Sequence, residues 1–96
     1  MSEPIVVTKV HFTAASQDDV QLGLLGWASC LVNGGLELDG LTIRRTRAGR
    51  HAVSFPSRRD GSGRERFYVR PIDDQARREI ERQILGALQF GEEAAP

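Results

Sequence analysis

The sequence predicts a small α+β protein: a mostly antiparallel β-sheet of about five strands with one C-terminal α-helix packed on it. Two patterns carry that expectation. From residue 5 to residue 70 the chain runs through short stretches rich in Val, Ile, Leu, Thr and Phe, each closed by Gly, Pro, Asn or Asp, the punctuation of strands and turns. From residue 73 onward the apolar residues recur every three or four positions, the spacing of a helix with one buried stripe. A length of 96 residues suits one domain with a single core and a thin stability margin, so a homodimer is expected.

Residues 5–13 read as the first strand, with Val6, Thr8, Val10 and Phe12 on one side and Ile5, Val7, Lys9 and His11 on the other. His11 reads as a surface residue, because no Asp, Glu, Cys or second His lies at metal-ligand spacing. The polar residues 14–19 read as a turn. Residues 20–32 are apolar, and Gly23 and Gly26 within them disfavour a helix and announce a bulge or a close backbone approach. The stretch therefore reads as a bent strand, closed by the hairpin turn Asn33-Gly34-Gly35. Trp27 reads as a core or dimer contact ahead of a nucleotide-stacking platform, because of the apolar area it carries.

Leu36, Leu38, Leu41 and Ile43 continue in strand spacing, with a one-residue slip at Asp39-Gly40 that marks a bulge. This strand runs into Arg44-Arg45-Thr46-Arg47, the chain turns at Ala48-Gly49-Arg50, and residues 51–55 return as the next strand. Proline cannot donate to a sheet ladder, so pairing is expected to end near Pro56. Residues 56–63 then read as a basic loop carrying Arg58 and Arg59, with a flexible Gly61-Ser62-Gly63 turn. Residues 64–70 resume strand composition, with Phe67 and Val69 inward. Tyr68 falls on the arginine side, a base-stacking candidate and equally a cross-strand neighbour. In the final helix Asp73 or Asp74 is the cap, and Ala76, Ile80, Ile84, Ala87 and Leu88 form the buried stripe. Arg77 and Glu81 can pair one turn apart, whereas Arg78 and Arg82 repel slightly. The acidic tail, residues 91–96, reads as frayed.

Net charge is zero but unevenly spread. Between Arg44 and Arg70 there are nine arginines against Asp60 and Glu65, a local excess of seven positive charges. Twelve of the thirteen basic residues are arginine, whose planar fork matches phosphate oxygens in a bidentate way. An arginine-biased composition supplying solvated surface charge gives the same count. The lone cysteine, Cys30, sits in an apolar run, excludes an internal disulfide and fits a small buried residue in a reducing compartment. No apolar run reaches the length of a membrane span and the first residues do not resemble a signal peptide, so a cytoplasmic location without a membrane partner is expected. Phosphate-cradling glycine loops, metal-ligand spacings and a nucleophile beside a base are missing from the sequence pattern, so neither an enzyme nor a cofactor is expected.

At Phe55-Pro56-Ser57-Arg58-Arg59, followed by Asp60-Gly61, a further strand and Arg70-Pro71-Ile72 entering a helix, the chain resembles the stage V sporulation protein G (SpoVG) septation regulator family. Gly40-Leu41-Thr42-Ile43-Arg44 resembles the family's preceding strand, so the similarity spans about residues 36–90. Phe55 stands where the family has methionine, Arg70 where it has histidine, and residues 64–69 are richer in arginine than the family pattern. The resemblance implies a dimeric α+β regulator that binds nucleic acid and acts in bacterial sporulation or cell division. Arg58 and Arg59 fall on the family's Lys-Arg positions. Charge reasoning alone adds Arg44, Arg45, Arg47, Arg50, Arg64 and Arg66 as contacts to DNA or RNA phosphates. The competing expectation is a homodimeric interaction module whose basic face meets an acidic protein.

Overall fold

The computed structural model describes residues 4–90, so the acidic tail lies outside the described residues. The elements are β1 (Val7–Ala14), α1 (Gln17–Gln21), β2 (Leu24–Val32), β3 (Leu36–Arg45), β4 (His51–Ser54), β5 (Ser57–Arg59), β6 (Glu65–Phe67) and α2 (Asp74–Ala87). Strands β1 to β4 form one antiparallel sheet in sequence order, while β5 and β6 pair only with each other. The expected single sheet of about five strands is therefore two sheets. Pro56 ends the first one as anticipated, but the supposed loop beyond it contains β5. The last strand is also shorter than residues 64–70, because the chain bends at Tyr68 and Val69.

The supposed turn at residues 14–19 leads into a one-turn helix. Ser16 caps it, its hydroxyl accepting from the Asp19 amide at 3.2 Å, and Asp18 and Asp19 oppose the partial positive charge of the helix start. The following strand begins at Leu24 rather than Val20.

Three bulges set which side chains face the core. In β1, Lys9 and Val10 lie between the pairs Thr8↔Leu31 and His11↔Ser29, where β2 offers only Cys30, and Lys9 adopts φ 51°. The extra residue inverts the alternation, so Ile5 and Val7 share the core side with Val10 and Phe12. The uninterrupted two-sided pattern read from the sequence fails at that point, and Val6 is 48% exposed. In β3, Asp39 and Gly40 together oppose Ser29, as the sequence slip predicts. Gly40 takes φ 73°, its amide donating to the Asp39 carboxylate at 2.8 Å, and Leu38 and Leu41 both turn inward. In β2 the register shifts at Leu25. A Cβ on Gly26 would lie 2.3 Å from the Thr13 carbonyl oxygen and 2.6 Å from the Phe12 ring, so glycine permits the close contact of β1 with β2.

Helix α2 covers one face of the four-stranded sheet. Asp73 caps it by accepting from the Ala76 amide at 2.8 Å. Ile80, Ile84 and Leu85 are buried against Ala28, Cys30, Leu38, Leu41, Ile43, Val53 and Phe55. Ala87, expected in the stripe, is exposed, and Leu85 takes its place. Burial also raises the Cys30 thiol above its ordinary pKa, keeping it protonated.

The same helix protects both sheet edges. The Gln83 side-chain amide accepts from the Val7 N–H and donates to the Ile5 carbonyl, both at 2.7 Å, as a neighbouring strand would. On the opposite edge, the Glu81 carboxylate accepts from the Val53 N–H at 2.9 Å. Outward-facing backbone groups that would otherwise template another strand are thus engaged by side chains.

Candidate nucleic-acid interface

The β5–β6 hairpin is built around one carboxylate. Asp60 Oδ1 accepts from the Ser62 amide at 2.9 Å, the Ser62 hydroxyl at 2.7 Å and the Arg64 amide at 3.1 Å. Its Oδ2 accepts from Arg66 Nε at 3.0 Å. The Ser62 hydroxyl and the Arg66 guanidinium, with the two amides, hold the Asp60 carboxyl at about 2, well below its ordinary value. Residues 61–63, expected to be a flexible turn, are therefore tied down through Asp60, and Gly63 supplies the φ of 83° that the turn needs.

This arrangement displays cations. Arg58 stands directly opposite Arg66, an unfavourable like-charge pair, and only Arg66 reaches Asp60. The Arg58 guanidinium lies 6.0 Å from the centre of the Tyr68 ring. Arg59, next along the strand, faces the other way and donates to the Gly63 carbonyl at 2.9 Å. The two arginines of the motif thus belong to opposite faces of β5, with different partners. Arg64 lies in the turn and makes no side-chain hydrogen bond among the described residues.

A second basic hairpin joins β3 to β4. Its tip is closed by the Thr46 amide donating to the Arg50 carbonyl at 2.7 Å and by the Gly49 amide donating to the Thr46 carbonyl at 2.9 Å. Arg47 and Arg50 are exposed there, while Arg45 donates to the Val20 carbonyl at 3.1 Å. The tip precedes β4 and the β5–β6 hairpin follows it, so the two sets of arginines flank opposite ends of that strand. Arg44 is the predicted residue that links them.

Arg44 lines a groove of about 880 Å³ beside β4, together with Thr42, Ser54, Phe67, Arg70 and Arg77. The other seven predicted arginines lie outside this groove. Glu65, Asp73 and Asp74 line it too, each already engaged: Glu65 by the Ser57 hydroxyl at 2.7 Å, Asp73 by the helix cap, Asp74 by Arg77 at 3.3 Å. Arg77 also reaches Glu81 at 3.4 Å, as its spacing predicts. Arg82 pairs with Glu79, which relieves its repulsion from Arg78. Arg44 and Arg70 carry no ion pair or side-chain hydrogen bond among the described residues.

One aromatic placement differs from expectation, and Trp27, read as a core or dimer contact, lies outside the core. Phe67, read as inward, is 44% exposed and lines the groove, because β6 belongs to the separate hairpin and has no helix beneath it. Val69, its expected partner, does pack against the core. Trp27 is 42% exposed on the sheet face that α2 leaves uncovered. The parity of β2 carries the signal: Ala28 and Cys30 are inward, so Trp27 between Gly26 and Ala28 points the other way. His11 is exposed, and His51 stacks on Phe90 at 4.9 Å between ring centres. The buried His51 Nδ1 has no hydrogen-bond partner among the described residues, so no carboxylate there orients it as a base.

No protein-family model and no curated protein matches the chain. No helix among the described residues is long and apolar enough to cross a membrane.

Proposed function

We propose that this chain is a cytoplasmic, homodimeric nucleic-acid-binding regulator of the SpoVG type, acting in sporulation or cell division, whose two basic hairpins contact the phosphate backbone. The observation that carries this reading is Arg58. It is opposed by a second arginine, has no acid within ion-pair distance among the described residues, and stands on a hairpin held in place by Asp60. An anion bridging Arg58 and Arg66 converts an unfavourable pair into a bidentate site. Arg44, Arg47, Arg50 and Arg64 extend the same chemistry along the molecule. The segment's excess of positive charge then appears as binding that weakens steeply with salt, through counterion release. Exposed Leu22, Leu36 and Ile72 favour a dimer, since a small core gains from further burial.

The test is electrophoretic mobility shift with random-sequence DNA and RNA at low and moderate salt. Arg58→Ala is expected to weaken binding severalfold and Arg58→Lys much less, while Arg59→Ala, whose guanidinium is held by Gly63, has the smaller effect. Unchanged affinity for Arg58→Ala at low salt would overturn the assignment. Capture of an acidic protein from nuclease-treated lysate, with no nucleic acid bound by the purified chain, would favour the interaction-module reading.

A further inference from the structure

Resting on the reading just proposed, the geometry points to a narrower ligand: we infer that the uncovered face of the four-stranded sheet and the adjoining groove take a single strand of nucleic acid, with bases on Trp27 and Phe67. Thr13, Trp27, Thr42 and Ser54 occupy directly opposed positions across β1, β2, β3 and β4, so their side chains form one row on one face. Thr42 and Ser54 also line the groove, and so does Phe67. Trp27 thus shares a row with the hydroxyl groups of Thr42 and Ser54, and Phe67 shares the groove with the same two. Trp27 and Ser54 are two strands apart, roughly 10 Å at the usual strand spacing.

Charge agrees with the rings. The neighbouring row, Leu24, Arg44 and Ala52, places on the same face the Arg44 guanidinium, which has no ion pair among the described residues, and Arg70 lines the groove. Neither of these two rows contains an acid. The carboxylates of Glu65, Asp73 and Asp74 line the groove, and all three are held by intramolecular donors. The face and groove thus offer π-faces and hydroxyl groups beside Arg44 and Arg70, neither of which has an ion pair among the described residues, the combination that binds unpaired bases and their phosphates. A duplex keeps its bases stacked on one another and cannot place them on Trp27 or Phe67. An extended peptide, the alternative occupant of a groove beside an edge strand, meets an edge at Val53 that Glu81 already occupies.

The full chain carries its own probe, because Trp27 is the sole tryptophan. Titration with dT12, rU12, a 12-base-pair duplex and poly-L-glutamate at low salt is expected to quench Trp27 emission with the two single strands and not with the duplex or the polyanion. Anisotropy of labelled dT12 is then expected to fall off by roughly fivefold to a hundredfold in affinity for Trp27→Leu, and separately for Phe67→Leu, with duplex binding unchanged. Both side chains are half exposed and both variants stay apolar; an unaltered circular dichroism spectrum and thermal midpoint show that folding is intact. Comparison of dT12 with rU12 identifies which sugar is preferred. Duplex binding without Trp27 quenching, and with both variants equal to wild type, would overturn this inference while leaving the proposed function standing. Quenching by poly-L-glutamate equal to that by dT12 would overturn it in favour of an acidic polymer, and no binding to any oligonucleotide would overturn both.

Discussion

The four-stranded sheet with α2 and the two-stranded β5–β6 hairpin are held by different forces. The first is built on a core of ten buried hydrophobic residues among those described, with Leu41, Ile43 and Ile84 showing no exposed surface. In the second, Glu65, Arg66 and Phe67 are all exposed, and a single carboxylate with its four donors defines the turn. Apolar burial is worth about 1.5–3 kcal/mol per large side chain, whereas exposed polar contacts are largely offset by water. The hairpin therefore depends on the packed unit for its existence and contributes little to it in return. That division puts the opposed Arg58 and Arg66 on the element that has the least buried apolar surface.

The contrast can be broken most severely from the packed side. Ile84→Ala is expected to lower unfolding free energy by about 2–5 kcal/mol, measured by urea denaturation, and to melt hairpin and sheet in one transition. Gly26→Ala forces a Cβ against the Thr13 carbonyl and the Phe12 ring, and a loss of about 1–3 kcal/mol is expected in the same assay. A smaller effect, about 1 kcal/mol, is expected for Gln83→Ala, with faster amide exchange at Val7 as its local signature. The weakest global effect belongs to Asp60→Ala. There the denaturation midpoint stays near wild type while amide protection at Ser62 and Arg64 disappears; a hairpin that kept its protection would contradict the role given to Asp60.

Acid makes the same cut without mutation. The Asp60 carboxyl is depressed from an ordinary 3.8 to about 2, so its stabilisation is complete above the ordinary value and is lost as the pH falls from 3.8 toward 2. Hairpin signals in a heteronuclear NMR titration are expected to shift over that window, with an apparent midpoint near 2 assigned to Asp60.

Much of the sheet was legible from residue type. Asn33-Gly34-Gly35 closes β2 onto β3, Asp39-Gly40 is a bulge, and Ala48-Gly49 turns β3 into β4, because each needs backbone angles that few residues tolerate. The Lys9 bulge was illegible, since lysine carries no conformational signature and its positive φ is imposed by pairing with β2. The candidate site was legible only in part. The resemblance pointed to Arg58 and Arg59 and charge density added six more arginines, and Arg44 alone among these eight lines the groove, where it is joined by Arg70, Arg77 and Phe67.

By itself, then, the chain's order of residues determined the alternation of strands and turns, the end of the first sheet at Pro56, a helix start at Asp73 or Asp74 and the buried thiol of Cys30. These follow from local angles, missing donors and apolar spacing. Tertiary structure alone decided that β5 and β6 pair apart from the main sheet, that Arg58 and Arg59 serve different faces, and that Trp27 and Phe67 are both left exposed. Such facts depend on which strands become neighbours and which face the single helix covers, and one helix can cover only one side of a sheet.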